Sequence, residues 1–139
     1  MIVELGHLAL WLAAAMAALQ FAGTAAGLAR GRPELVALAR PAAFAQLALV
    51  IAAYAALTWA FVVSDFSVAL VVANSHTMKP MLYKWTGVWA NHEGSLLLWV
   101  LVLAVSGAAL AAMPAPLGPR FRARALSVMG LIALGFFAF

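Results

Sequence analysis

Three runs without any charged side chain dominate this chain of 139 residues, at positions 5–29, 42–63 and 94–113. An α-helix rises about 1.5 Å per residue, so about 20 apolar residues cross the roughly 30 Å hydrocarbon core of a bilayer. Only 9% of the residues are charged, whereas soluble domains average about 25% and need them to cover their surface. The sequence therefore predicts an all-α, polytopic membrane helix bundle with three full spans.

A fourth apolar run, residues 125–139, is shorter than a span requires. We interpret it as a truncated fourth span. The chain is then expected to be a single membrane domain that is a fragment of a longer protein, or one piece of a split protein. The segment 114–124, which carries three prolines, is predicted to be the loop before this run.

Basic residues cluster in two of the three connections. Segment 30–40, predicted to be a short hydrophilic turn, has three arginines against one glutamate, and segment 114–124 has three more arginines. Loops rich in arginine and lysine stay on the cytoplasmic side of a membrane. The N-terminus and the connection 64–93 are therefore expected to face the periplasm or an equivalent outer compartment. The net charge of +4 follows from this topology and does not indicate nucleic-acid binding.

Small residues recur at every fourth position in each predicted span. Such stripes allow helix backbones to approach closely, although alanine and glycine can also simply fill an apolar helix. The stripes are, in chain order, Gly23 and Gly27, then Ala48, Ala52, Ala56 and Ala60, then Ala104, Ala108 and Ala112.

The connection 64–93 is the longest polar stretch of the chain. Residues 66–72 alternate in size, which fits either a short strand or a short amphipathic helix. Pro80 is placed to begin an interfacial helix that runs to about Ala90. On that helix Trp85, Trp89 and His92 have i, i+4, i+7 spacing and would share one face, together with Met81 and Val88.

Two pairs of side chains in this region could carry chemistry. His92 and Glu93 stand at the head of the third span, where they could bind a metal or haem or relay protons, or could instead fix the loop by hydrogen bonds. Trp85 and Trp89 could stack on a planar apolar ligand such as a porphyrin, or could belong to an ordinary aromatic belt. His7 and His76 are interpreted as interfacial and solvated residues. The chain has no cysteine, which excludes disulfides and thiolate metal ligands, and it shows no self-contained enzyme active site.

The segment from Trp89 to Trp99, WANHEGSLLLW, resembles the amino-terminal part of the CcmF family, together with DFSV at 65–68 and the Asn74-Ser75 turn. CcmF is the large membrane subunit of the bacterial cytochrome c maturation haem lyase and belongs to the haem-handling protein superfamily. The resemblance covers essentially all of this chain, but only the front part of a family member. It implies a multi-pass protein of the bacterial inner membrane.

The resemblance further implies that the whole protein holds a b-type haem. It also implies partners: the haem chaperone CcmE, the subunits CcmH and CcmI, apocytochrome c and the remainder of the CcmF chain. The family's Trp-rich segment and ligating histidines lie downstream, so haem ligation is not assigned to His7, His76 or His92. Trp85 and Trp89 are expected to form a haem platform. Its support is expected to come from the HEGSLLLW corner, namely from His92, Glu93, Gly94, Ser95 and Trp99.

By itself this chain is expected to be non-catalytic and to help deliver haem for covalent attachment to apocytochrome c. Two other functions remain open on the sequence alone. One is a proton-pathway or transporter subunit that uses His92 and Glu93 as a relay, and the other is a purely structural assembly fragment. The first of these would need further ionisable groups inside the spans.

Overall fold

The computed structural model describes residues 1–113 and 118–139, and all regular elements within these ranges are helical. A π-helical segment, Leu19–Gly23, joins the first two α-helices. The α-helices are α1 (Ile2–Ala18), α2 (Thr24–Arg30), α3 (Pro33–Ala37), α4 (Ala39–Val63), α5 (Ala69–Asn74), α6 (Met81–Gly87), α7 (His92–Ala112) and α8 (Pro119–Phe137).

Three helical segments are long and apolar enough to cross a membrane, namely Ile2–Arg30, Pro33–Val63 and His92–Ala112. The predicted all-α bundle with three candidate spans is thereby confirmed. The sequence left open whether residues 66–72 form a strand or a helix. In the structure this segment leads into the helix α5.

The two arginine-bearing connections are shorter than the sequence predicted. Segment 30–40 contains all of α3 and the start of α4, and α8 begins at Pro119, inside the predicted loop. Arginine is a good helix former and proline suits the first helical position, so these charged stretches extend helices. The other part of the predicted loop, residues 114–117, lies outside the described residues.

The long helices form a closed ring in which α1 packs on α4, α4 on α7, α7 on α8, and α8 again on α1. Three clusters of buried side chains follow one another along the bundle, at one end, in the middle and at the other end. In that order they are Ala60, Phe61, Val71 and Val88, then Ala13, Val50, Val100 and Ala104, then Ala39, Ala43, Ala111 and Leu126.

Close helix contacts depend on small residues, as expected, but only partly at the predicted positions. A Cβ added to Gly6 would lie 2.8 Å from the Cβ of Ala56, so α1 and α4 almost touch there. Ala56 is buried, whereas Ala48 and Ala52 of the same predicted stripe are exposed. Residues four apart differ by about 40° around a helix, so a strict four-residue stripe drifts off the contact face.

The π-helical segment, which the sequence did not predict, fastens α8 to the first span. Gln20 is buried, and its Nε2 donates to the carbonyl of Leu126 at 2.7 Å. A second hydrogen bond runs in the opposite direction, from the hydroxyl of Ser127 on α8 to the carbonyl of Phe21, at 3.1 Å. Each of these two hydrogen bonds joins residues that are 106 positions apart in the chain.

Candidate functional site

The connection 64–93 folds back onto the end of α4 and closes one end of the bundle. Ser64 ends α4 in the left-handed conformation at φ 56°, and the N–H of Asp65 donates to the Ala60 carbonyl at 2.9 Å. The Asp65 carboxylate accepts from the hydroxyl of Ser67 at 2.7 Å and from its N–H at 3.0 Å. These two hydrogen bonds lower the pKa of Asp65, because they favour the charged carboxylate.

Both lysines of the connection are tied into its backbone fold. The Nζ of Lys79 donates to the Asn74 carbonyl at 2.8 Å, and the Nζ of Lys84 donates to the hydroxyl of Ser64 at 2.7 Å. The second bond joins α6 to the end of α4, twenty residues earlier in the chain. The lysines therefore hold the connection in shape, and they are not free charges of a solvated loop.

The side chain of Asn91 links the end of α6 to the start of α7. Its Oδ1 accepts from the N–H of Gly94 at 2.7 Å, which is the N-cap bond of α7. Its Nδ2 donates to the carbonyls of Gly87 at 2.8 Å and Val88 at 3.2 Å, which satisfies carbonyls at the end of α6. One amide group thus caps two helices, and the angle between them depends on it.

Two glycines make this turn possible. A Cβ on Gly94 would overlap the carbonyl oxygen of Val88, and a Cβ on Gly87 would lie 3.3 Å from the ring of Phe61. Phe61 and Val88 are fully buried. Residues 87–94, called the 87–94 junction below, therefore form a closely packed corner that leaves no room for a side chain at position 94.

The tryptophans predicted to form a platform are exposed. Trp85 has 50% and Trp89 has 44% of its surface accessible, and Trp99 on α7 is exposed as well. The predicted common helix face is wrong in detail, because α6 ends at Gly87 and Val88 turns into the core. The chain between Trp85 and Trp89 nevertheless stays in turns, as the N–H of Trp89 donates to the Thr86 carbonyl at 3.3 Å.

The predicted support residues divide into two groups. Gly94 shapes the junction, and the hydroxyl of Ser95 donates to the backbone carbonyl of His92 at 2.8 Å. The side chains of His92 and Glu93 are exposed and make no hydrogen bond or ion pair within residues 1–113 and 118–139. The side chain of Asn91, which is not among these predicted support residues, fixes the corner.

Glu93 faces His7 of α1 across two neighbouring cavities, of about 220 and 300 Å³, and both residues line each cavity. The remaining walls are apolar and include Leu97 in both cavities, Val68 in the first and Phe136 in the second. The sequence did not bring His7 and Glu93 together, because they lie on different spans. No group of three or more His, Cys, Asp or Glu side chains in the described part of the chain could hold a metal ion.

The end of the bundle with the exposed tryptophans fits the edge or face of a planar apolar group such as haem, since indole rings stack well on flat apolar surfaces. Axial ligation is a different requirement. It needs a histidine, methionine or similar ligand held toward the iron atom. The exposed indole rings fit contact with a flat ligand, and they are not themselves axial ligands.

No protein-family model matches this sequence. The chain is 56% identical over its full length to the cytochrome c-type biogenesis protein ccl1 of Rhodobacter capsulatus, of which it covers 21%. It is 47% identical to CcmF of Pseudomonas aeruginosa and 37% identical to CcmF of Escherichia coli, again over its full length, and it covers 21% and 22% of them.

A solved structure, that of the cytochrome c heme lyase CcmF, superposes on 99% of this chain with a TM-score of 0.92 at 31% sequence identity, and the match takes up 23% of that structure. The chain thus spans about a fifth of the length of the curated relatives it matches. On sequence and fold together, the chain is homologous to the amino-terminal portion of the CcmF-type cytochrome c-type biogenesis proteins.

Proposed function

We propose that this chain works as the part of a cytochrome c haem lyase that holds an aromatic surface beside the haem. The observation that carries the proposal is the exposure of Trp85 and Trp89 at an end of the bundle that Asn91 and Gly94 hold rigid. Apolar rings on a rigid frame bind a flat ligand with little loss of conformational entropy. The similarity to a cytochrome c-type biogenesis protein and to a cytochrome c heme lyase indicates that the flat ligand is haem.

In this proposal the chain itself is not catalytic. Haem supplies the iron and the groups that become attached to the cysteines of apocytochrome c, and the attachment takes place on the rest of the full-length protein. Trp85 and Trp89 orient the porphyrin and shield one side of it from water. The 87–94 junction keeps the two rings in place, and His92 and Glu93 lie where this junction enters the third span.

The proposed setting is the bacterial inner membrane, with the connection 64–93 in the periplasm. The positive-inside rule supports this orientation, because the arginines lie at the opposite end of the bundle from the tryptophans. Proposed partners are the remainder of the CcmF chain, CcmH, CcmI, the haem chaperone CcmE and apocytochrome c.

The proton-pathway alternative has less support. It requires titratable groups inside the spans, but the buried polar residues of the described part are Gln20, Thr24, Gln46 and Ser127. None of these four side chains exchanges protons near neutral pH. The structural-fragment alternative makes no use of exposed tryptophans, and the following experiment separates it from the proposal.

The test replaces both tryptophans, as Trp85→Ala with Trp89→Ala, in the full-length protein produced with its partners. We expect the yield of covalently haem-loaded cytochrome c to fall at least about tenfold, because stacking contacts of aromatic side chains contribute about 1–3 kcal/mol each. The matched control is Trp59→Ala, since Trp59 is 52% exposed near the same end of α4 but lies outside the connection. An unchanged yield in the double variant, at a normal protein level, contradicts the proposal.

A further inference from the structure

The end of the bundle opposite the tryptophans contains a groove of about 660 Å³. One wall is the turn between α2 and α3, and the other is the first turns of α8. Its lining combines arginines with apolar side chains, namely Arg32, Arg120, Arg124, Leu28 and Val36. The proposed haem surface makes no use of this groove.

The first wall is fixed by backbone geometry. Gly31 ends α2 in the left-handed conformation at φ 65°, and the N–H of Arg32 donates to the Gly27 carbonyl at 2.9 Å. The start of α3 lies so close to Gly27 that an added Cβ would be 2.8 Å from Leu35 and 2.9 Å from the nitrogen of Val36. The turn can therefore hold Arg32 and Val36 at one place relative to the first span.

The second wall is fixed by α8. Gln20 donates to the Leu126 carbonyl and Ser127 to the Phe21 carbonyl, both in the turn that follows Arg124. A Cβ on Gly130 would lie 2.8 Å from the Ala17 carbonyl, so α8 also approaches α1 closely. These buried contacts fix the distance between α8 and the first span. The width of the groove therefore does not depend on the exposed side chains that line it.

The charge in the groove is positive and unbalanced. Arg120 and Arg124 are four residues apart on α8, so both project from one helix face, where like charges repel. Glu34 pairs with the Nε of Arg32 at 2.9 Å, which neutralises that wall in part. Within residues 1–113 and 118–139, no carboxylate lies within 4.0 Å of Arg120 or Arg124. An anion in the groove would relieve the repulsion between these two guanidinium groups.

We propose that this groove binds the phosphate headgroup of an anionic phospholipid. Guanidinium groups bind phosphate oxygens through paired N–H donors, and basic pockets between membrane helices are known to favour anionic headgroups. Leu28 and Val36 offer an apolar floor for the glycerol and the upper acyl chain. A membrane lipid can reach the groove, because the first wall joins two helical segments of membrane-spanning length and the second wall, α8, packs beside them.

The test uses the full-length protein in detergent, mixed separately with phosphatidylglycerol, phosphatidylcholine and inorganic phosphate, and native mass spectrometry counts the bound molecules. We expect clear retention of phosphatidylglycerol over phosphatidylcholine. Arg120→Gln with Arg124→Gln should reduce the retained phosphatidylglycerol about tenfold, because each charge-assisted contact to phosphate is roughly twice as strong as a neutral one.

The matched control is Arg30→Gln with Arg40→Gln, which removes the same charge from the same end but leaves the groove lining intact. It should retain phosphatidylglycerol within about twofold of the unmodified protein. An equal loss in both double variants would mean a general charge effect and overturns the proposal. Retention of inorganic phosphate at the same level as phosphatidylglycerol also overturns the proposal. Should the Arg120 and Arg124 variant fail to fold, equal retention of the two lipids by the unmodified protein overturns the proposal alone.

Discussion

The two ends of this helix bundle are built on different principles. The 87–94 junction closes one end through close packing and hydrogen bonds. The Val88 carbonyl lies against Gly94, and one amide group of Asn91 caps two helices. The other end, the arginine end, carries Arg30, Arg32, Arg40, Arg120, Arg122 and Arg124, and within the described residues it has one ion pair, between Arg32 and Glu34, that is more than half exposed.

This difference predicts which substitutions change the free energy of unfolding and which change binding. Tight packing and satisfied buried hydrogen bonds contribute to stability and fail when a single atom is added or removed. Exposed charges contribute little to stability, but they attract ligands and set orientation in the membrane. We therefore expect changes at the junction to lower the free energy of unfolding, and changes of the exposed charged residues at the arginine end to alter binding and to leave stability nearly unchanged.

The largest expected effect is that of Gly94→Ala. Its Cβ cannot coexist with the Val88 carbonyl in the present structure, so the end of α6 must move away from α7 and the N-cap bond of Asn91 must lengthen. Overpacking and the loss of a cap together should lower the free energy of unfolding by about 3 kcal/mol. Thermal unfolding of the purified full-length protein measures this loss.

The control for this variant is Gly118→Ala at the arginine end. A Cβ on Gly118 meets no described atom within 4 Å, and the residue has an ordinary negative φ of −49°, so the change should be nearly neutral. Equal destabilisation by the two alanines would show that the junction is no tighter than the arginine end.

The second expected effect is that of Asn91→Ala. It removes the N-cap of α7 and leaves the carbonyls of Gly87 and Val88 without their side-chain donor, which should lower the free energy of unfolding by about 2 kcal/mol. Hydrogen exchange of the amides from Trp85 to Leu96 should become faster in the variant, because both helix ends fray.

Asn91→Asp separates the two roles of this side chain. The aspartate keeps an oxygen for the Gly94 N–H but has no N–H to donate to the two carbonyls. We expect it to protect the start of α7 while the end of α6 exchanges faster. If the aspartate variant behaved as the alanine variant does on both sides, the link between the two helices would not depend on the amide.

The architecture of this chain was largely readable from its sequence, because uncharged runs of membrane length constrain a helix strongly. The end of α4 at Val63 and the start of α7 beside Asn91 were predicted within two residues. The π-helical segment was not predicted, although Gln20 was a signal for it: a single amide inside an uncharged run must find a partner. Its partner, Leu126, lies on α8 and is 106 residues away.

The candidate site was readable only in part, for a similar reason. The spacing of Trp85 and Trp89 suggested one continuous helix face, but helix periodicity cannot show that Gly87 packs on Phe61 and ends α6 there. Likewise, His92 and Glu93 were singled out because they are ionisable. The uncharged Asn91 makes the hydrogen bonds that join α6 to α7. Sequence patterns report which residue types are unusual, and the contacts that fix a corner depend on segments brought together by folding.

At the arginine end, Glu34→Gln should change stability by less than about 0.5 kcal/mol. The variant removes the negative charge that faces the Nε of Arg32, but the two side chains are 56% and 59% exposed, so water and salt already weaken their attraction. The measurement is again thermal unfolding, at low and at physiological salt. A loss as large as that of Asn91→Ala would remove the distinction between the two ends.

The smallest expected effect concerns pH and lies beside the junction, at Asp65. Its pKa is lowered in the folded protein, first by the Ser67 hydroxyl and then by the Ser67 N–H. A carboxyl with a depressed folded pKa contributes stability above its unfolded pKa and loses that contribution as the pH falls through the folded pKa. Unmodified protein should therefore lose a small part of its stability on acidification below about pH 4, and Asp65→Asn should not show this part of the loss.

Ser67→Ala provides the matched test, because it removes the hydroxyl donor and keeps the backbone N–H. The pKa of Asp65 should rise toward its ordinary value in this variant, so the acid-dependent loss should shrink and should be complete at a higher pH. Comparison of the three proteins by thermal unfolding between pH 3 and 6 isolates the contribution of one exposed carboxylate. If all three followed the same pH profile, the Asp65–Ser67 turn would not stabilise the start of the connection, and the stability of that end would depend on the buried contacts of Phe61, Val88 and Gly94 alone.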